Sequence, residues 1–214
     1  MISIERLTKR YGNKTVYENF SLEIAEGERT CILGESGSGK TTLLNCIAGL
    51  TEFSGSVTAK KCSYVFQTPR LVPCLTVRGN LSLVNSCQNK IDAVLNELQL
   101  FDKAESYPCA LSGGQAQRVA LARAILFGGE IMLMDEPFSS LDLKLKIEMR
   151  ELYKNFQRET ASTVIFVTHD IDDALCFGER IIVIKDGKTV FDERNRENLR
   201  ERLISALLGL DNNF

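Results

Sequence analysis

Gly34-Glu35-Ser36-Gly37-Ser38-Gly39-Lys40-Thr41, followed by Thr42, is a stretch whose residue types imply chemistry by themselves. Glycines at this density let successive backbone N–H groups turn inward toward phosphate oxygens, and a following helix N-terminus adds a favourable dipole. Lys40 would reach the β- and γ-phosphates of a nucleotide, and the Thr41 hydroxyl would hold Mg²⁺. Far downstream, Asp135 and Glu136 close the apolar run Ile131-Met132-Leu133-Met134. Adjacent carboxylates at the end of a strand lie where open α/β sheets bind ligands. Asp135 suits the magnesium shell, and Glu136 suits the general base that orients an attacking water.

A second glycine signal, Leu111-Ser112-Gly113-Gly114-Gln115, precedes the helix-forming run Val119-Ala120-Leu121-Ala122-Arg123-Ala124. Ser112 can cap that helix while the paired glycines let backbone N–H groups approach a phosphate closely. On its own, Ser-Gly-Gly is also a common flexible turn. The single histidine, His169, follows the apolar run Val164-Ile165-Phe166-Val167. A neutral imidazole donates one hydrogen bond and accepts another, so it can link a phosphate to a neighbouring loop.

These groups need elements to hold them. Thr30-Cys31-Ile32-Leu33 reads as a buried strand running into the glycine loop, and Leu43, Leu44, Ile47 and Leu50 give the segment from Thr42 to Leu50 a helical face. Strand, glycine loop, helix is the context that a phosphate-binding loop requires. Ile2-Ser3-Ile4 and Phe20–Ile24 alternate as half-buried strands do. Between Pro69 and Tyr107 the texture changes to prolines and short amphipathic stretches, with Ile91, Val94, Leu95 and Leu98 on one helical face. Residues from about 68 to 115 are expected to form an inserted helical subdomain. The strands Ile131–Met134 and Val164–Val167 follow, then a hairpin of Ile181–Ile184 and Thr189–Phe191 about the Asp186-Gly187 turn. Leu141 to Phe156 fits strand alternation and helical spacing alike; its strong helix formers favour helix. The tail from Asn195 is charged and expected to be helical, with no room for an appended regulatory domain.

Composition excludes several classes. The chain has 214 residues, enough for one full α/β domain. Its 26 basic and 28 acidic side chains leave a net charge of -2, so no basic excess points to nucleic acid. Apolar runs are strand-length, short of the ~20 residues that cross a bilayer, and no export leader is visible. Seven scattered cysteines with one histidine offer no zinc set and read as reduced thiols. Asn89-Lys90-Ile91-Asp92 matches a guanine-specificity tetrad, but no aspartate here has a glycine three positions later, and the tetrad opens an amphipathic helix.

Taken in order, the glycine loop, the Leu111–Gln115 signal with Gln117-Arg118 behind it, and the Asp135-Glu136 pair resemble the ATP-binding cassette (ABC) ATPases over essentially the whole chain. The resemblance implies an α/β fold: a P-loop NTPase (RecA-like) core, an N-terminal antiparallel β subdomain and the inserted helical subdomain, forming one nucleotide-binding domain over residues 1–214. It implies ATP and Mg²⁺ as ligands, with Ser112, Gly113, Gly114 and Gln115 contacting the nucleotide held by a second copy of the chain. It likewise implies a magnesium- and water-sensing role for Gln67, a switch role for His169 in Val-Thr-His-Asp, and coupling of two active sites through Ser139-Ser140-Leu141-Asp142. Tyr11 resembles the aromatic residue that stacks on adenine.

Gln67-Thr68-Pro69-Arg70-Leu71-Val72-Pro73-Cys74-Leu75-Thr76-Val77 further resembles the corresponding region of bacterial importers for nitrate, sulfonates, taurine and related ions, although Cys74 stands where those commonly carry tryptophan. The resemblance implies a peripheral ATPase on the cytoplasmic face of the membrane, docked near Gln67–Val77 on transmembrane permease subunits and served indirectly by an extracytoplasmic solute-binding protein. An exporter ATPase and a soluble cassette ATPase share the nucleotide motifs and stay open at this point. Leu71, Val72 and Leu75 can also be read as core residues of the helical subdomain.

Overall fold

The computed structural model describes residues 1–139, 146–149, 151, 162–196 and 199–209. Its centre is a six-stranded sheet in the order β5-β6-β7-β3-β8-β9. The strands are β3 (Arg29–Leu33), β5 (Cys62–Val65), β6 (Ile131–Asp135), β7 (Thr163–Thr168), β8 (Arg180–Lys185) and β9 (Lys188–Arg194). All neighbours run parallel except β8 and β9, which form the expected hairpin. Asp186 and Gly187 both adopt left-handed backbone, φ 48° and 71°, the pattern of a type I′ turn.

The near-continuous apolar runs of the central strands follow from burial on both faces. Cys31, Leu33, Met132, Met134, Val164, Phe166, Ile181 and Val183 point to one core, shared with the helices. Their neighbours Ile32, Ile131, Leu133, Ile165, Val167, Ile182 and Ile184 point to the other. That second core is closed by helix α1 (Lys40–Ile47) and by a three-stranded antiparallel sheet of order β2-β1-β4. Here β1 is Ile2–Tyr11, β2 is Lys14–Ile24 and β4 is Ser54–Thr58. The β1–β2 hairpin is thus much longer than the short alternating runs expected from sequence, and α1 begins at Lys40 and ends before Gly49, where φ is 68°.

Between β5 and the long helix α4 (Gly113–Phe127) lie α2 (Val77–Ser82), α3 (Gln88–Glu97) and two 3-10 turns at Phe101–Lys103 and Pro108–Ala110. Ile91, Val94, Leu95 and Leu98 bury the face predicted for α3, and the guanine-tetrad look-alike opens this helix. Asn80, fully buried, ties the loop before α2 together: it accepts from the Val72 amide and donates to the carbonyls of Val72, Leu75 and Thr76. Of the ambiguous stretch from Leu141 to Phe156, residues 146–149 and 151 are helical; the rest lies outside the described residues. Two further helices, α5 (Ile171–Phe177) and α6 (Leu199–Leu208), cover the first core; Asn195 and Arg196, where the helical tail was expected to begin, are not helical.

Candidate active site

The strand order explains how distant motifs meet. In β5-β6-β7-β3 the four strands are parallel neighbours whose C-terminal ends align, with Val65 beside Met134, Asp135 beside Val167, and Leu33 beside Thr168. The loops leaving those ends carry Gln67, Glu136, His169 and the glycine loop. This is the edge where parallel α/β sheets place their ligands.

A cleft of about 820 Å³ opens there. Tyr11, Gly34, Glu35, Ser36, Gly37, Gly39, Lys40, Thr41, Thr42, Gln67, Glu136 and His169 line it, together with Lys14, Val16 and Leu207, which the sequence did not single out. Val16 and Lys14 follow from the length of β2. Leu207 arrives with the end of α6, and no local pattern marks that long-range contact. Ser38 lines a neighbouring cavity instead, and Asp135 reaches the cleft only through its bond to Thr41; Asp142 lies outside the described residues.

The glycine loop needs its glycines for stated reasons. Gly37 and Gly39 have φ of 83° and 105°, and a Cβ on Gly34 would come within 2.4 Å of the Ile184 carbonyl oxygen. Gly39 is the N-cap of α1 and offers no side chain to its first turn, which leaves those amides for a ligand. Lys40 is buried, and its ammonium donates to the Gly34 and Glu35 carbonyl oxygens at 2.8 Å each. Burial pushes its pKa down, against the pull of Glu136 and Asp135. An ammonium held inside its own loop is a preformed cradle for an anionic group.

The Thr41 hydroxyl donates to Asp135 Oδ1 at 2.9 Å. Burial pushes the Asp135 carboxyl up; the Thr41 hydrogen bond opposes this and the neighbouring Glu136 adds to it. These two hard oxygen donors, already adjacent, suit Mg²⁺.

Glu136 is one of few non-glycine residues in left-handed backbone, at φ 44°, a conformation costing about 1–2 kcal/mol. Its amide still donates to the Val167 carbonyl oxygen, so the residue leaves the sheet by a sharp turn that aims the carboxylate into the cleft. One oxygen lies 3.9 Å from Lys40 Nζ, and the other lies 2.7 Å from His169 Nδ1. The Gln67 amide donates to Ser139 Oγ at 3.5 Å, and Ser139 Oγ donates to the Glu136 carbonyl at 3.0 Å. Tyr11, half exposed at the end of β1, carries the Lys9 ammonium 4.5 Å from its ring centre.

Leu111–Gln115 lies elsewhere: none of its residues lines the cleft. Ser112 caps α4 in a reciprocal box, accepting from the Gln115 amide while the Gln115 side chain accepts from the Ser112 amide. Gly113 has open space where a Cβ would stand.

Comparison with known proteins matches this arrangement. Residues 17–139 fit the family model described as ABC transporter. The chain is 38% identical to the aliphatic sulfonates import ATP-binding protein SsuB 1 of Paracoccus denitrificans over 96% of this chain and 93% of that protein. It is 41% identical to the SsuB protein of Delftia acidovorans over 89% of this chain and 82% of that one. Among solved structures, the dimeric ATP-binding cassette MJ0796 in a post-hydrolysis state with ADP and Pi superposes with a TM-score of 0.82 at 34% identity, covering 92% of this chain and 99% of that chain. A P-loop cleft with an acidic pair at the end of β6, a capped Ser-Gly-Gly helix outside that cleft, and these relatives together establish that the chain belongs to the ATP-binding cassette family of ABC transporters.

Proposed function

We propose that the chain is the ATP-hydrolysing subunit of a bacterial importer for a small organic anion of the sulfonate type. The observation that carries the mechanism is the division of phosphate-binding groups between two surfaces. The glycine loop, Lys40, Glu136 and His169 line one cleft, while Ser112, Gly113 and Gly114 cap a helix outside it. One chain therefore holds half of each nucleotide site. Two copies, arranged head to tail, would enclose two ATP molecules, each between one copy's glycine loop and the other's Ser112-Gly113-Gly114. Asp142 would lie at that junction.

In this reading the P-loop amides and Lys40 bind the β- and γ-phosphates, and Tyr11 stacks on the adenine. Thr41 and Asp135 would hold Mg²⁺, with Gln67 completing its water shell; when bound, the ion neutralises charge on the phosphate oxygens. Glu136 orients and deprotonates the attacking water, and His169 contacts the γ-phosphate while its Nδ1 faces Glu136. Closing the dimer would pull on the permease, and hydrolysis would release it. Residues from about 68 to 115 would form the inserted helical subdomain, which ends at the Ser-Gly-Gly cap of α4, and the permease would dock near Gln67–Val77. No helix among the described residues is long and apolar enough to cross a membrane, consistent with a subunit that attaches to one. A solute-binding protein on the other side of the membrane would supply the anion. The sulfonate class rests on the named activity of the relatives.

The test is capture of the tagged Glu136→Gln chain with ATP from gently solubilised native membranes. Recovery of a polytopic permease supports the reading. Recovery of soluble partners alone, with the chain absent from membranes, would assign it to a soluble cassette ATPase.

A further inference from the structure

Lys146, in the helical stretch 146–149, lies outside the nucleotide cleft. Its side chain is only 15% exposed, and its ammonium stands 2.5 Å from Asp170 Oδ2 and 2.9 Å from Asp173 Oδ2. Asp173 is itself buried, beside the Cys31 thiol. Buried charge clusters of this kind are inefficient stabilisers, because well-packed apolar residues of similar volume often do as well. What this cluster fixes is the backbone next to His169.

The His169 ring is 57% exposed and hydrogen-bonds Glu136, so packing does little to set its direction. The flanking backbone must set it instead. On one side Thr168 ends β7 and is buried. On the other, Asp170 is held at every polar group. Its amide donates to Thr168 Oγ1 at 3.0 Å, and its carbonyl accepts from the Ala174 amide at 3.1 Å. Its Oδ1 caps α5 by accepting from the amides of Asp172 and Asp173 at 2.8 and 3.2 Å. Those bonds are local to the segment they hold. The bond from Lys146 to Oδ2 comes from 24 residues earlier, on the stretch that follows Asp142 in the sequence.

We propose that Lys146 is a positioning residue: by gripping Asp170 and Asp173 it sets where His169 meets Glu136, and it links the segment after β6 to the histidine loop after β7. This rests on the reading of His169 as a phosphate-contacting group. Lys146→Met alone would take the ammonium away from the buried Asp173 carboxylate, so the working variant pairs Lys146→Met with Asp173→Asn and keeps Asp170 as the cap. The chain has 1 histidine, so its imidazole NMR signals report on His169 without ambiguity.

In the full chain, the double variant should hydrolyse ATP about tenfold to a hundredfold more slowly, with KM for ATP within about twofold of wild type, as expected for a misplaced reacting group. Its His169 signals should shift and broaden in the nucleotide-free protein, and Lys146→Arg should keep both turnover and signals near wild type. A cooperatively folded double variant with wild-type histidine signals and turnover overturns the link, and so does a loss equally severe in Lys146→Arg. If the double variant does not fold, Lys146→Gln is read by the same two measurements. Full turnover in His169→Ala would instead remove the role assigned to the histidine, and the proposal with it.

Discussion

The Thr41 hydroxyl and the Asp135 carboxylate meet at 2.9 Å, joining the first turn of α1 to the last residue of β6. That carboxylate is buried and its pKa is raised, chiefly by burial. The sign of its contribution follows. Between the ordinary carboxylate pKa and the raised one, the folded chain keeps a proton that the unfolded chain has lost, so stability falls as pH rises through that interval. At neutral pH the ionised group costs stability. Asp135→Asn keeps the acceptor for Thr41 and removes the charge. The nucleotide-free variant should melt ~2–4 °C higher at neutral pH, equivalent to about 1 kcal/mol in a chain of this size. Its advantage should shrink on acidification, and Mg²⁺ with ATP should stabilise it less than wild type. Thermal melts across a pH series, with and without Mg-ATP, measure both effects; a lower melting point at neutral pH would contradict the argument.

Glu136→Gln removes the base but keeps the shape of the side chain. Turnover should fall by about 10²–10⁴, the usual cost of losing a general base. ATP should still bind, because Lys40 and the loop amides are untouched, and ATP-dependent dimers should accumulate. Phosphate release, nucleotide binding by fluorescence, and light scattering with ATP separate these three quantities. Steady-state hydrolysis equal to wild type would remove Glu136 from its role.

Much of this site was legible because its parts are local. A glycine loop between a buried strand and a helix, or an acidic pair closing an apolar run, declares itself within a few residues. The parallel order β5-β6-β7-β3, which gathers Gln67, Glu136 and His169 beside the loop, is a long-range property that apolar runs alone do not specify. The same limit hid Leu207 in the cleft and β4 beside β1, since Ser54–Thr58 carries one partly buried apolar side chain, Val57. The left-handed backbone at Glu136 was illegible for another reason: glutamate has no preference for it, and the surrounding sheet imposes it. Lys146 carries no local signal of its role, because its partners lie in another loop.

Tyr17 offers a test of packing under the site. It is fully buried, its ring stands 4.8 Å from that of Phe20, and its hydroxyl has no hydrogen-bond partner among the described residues. Burial, with the Cys46 thiol adding to it, pushes the phenol well above its usual range. An unsatisfied buried hydroxyl costs about 1–3 kcal/mol. Tyr17→Phe keeps the ring contact and removes the orphan, so the melting point should rise by ~2–4 °C or more. A fall, measured by calorimetry, would mean that the hydroxyl has a partner in solution.

Gly113 separates what one chain needs from what two chains need. It stands at the first helical position of α4, its φ is not in the left-handed region, and a Cβ would meet nothing within 4 Å. Alanine is also the better helix former, by roughly 0.8–1.0 kcal/mol in a helix interior. Gly113→Ala should therefore leave the melting point of the isolated chain unchanged or slightly raised. In the closed dimer the same methyl would stand between the Ser112-Gly113-Gly114 amides and the nucleotide of the partner. ATP binding to the monomer should persist, while ATP-dependent dimerisation and turnover fall by at least about tenfold, equivalent to 1.4 kcal/mol of lost contact. The contrast is with Gly34, where a Cβ would strike the Ile184 carbonyl oxygen within the same chain, so substitution should disturb the monomer itself. Calorimetry and sedimentation on the two variants decide the matter. Wild-type turnover in Gly113→Ala would mean that this helix end does not face a nucleotide.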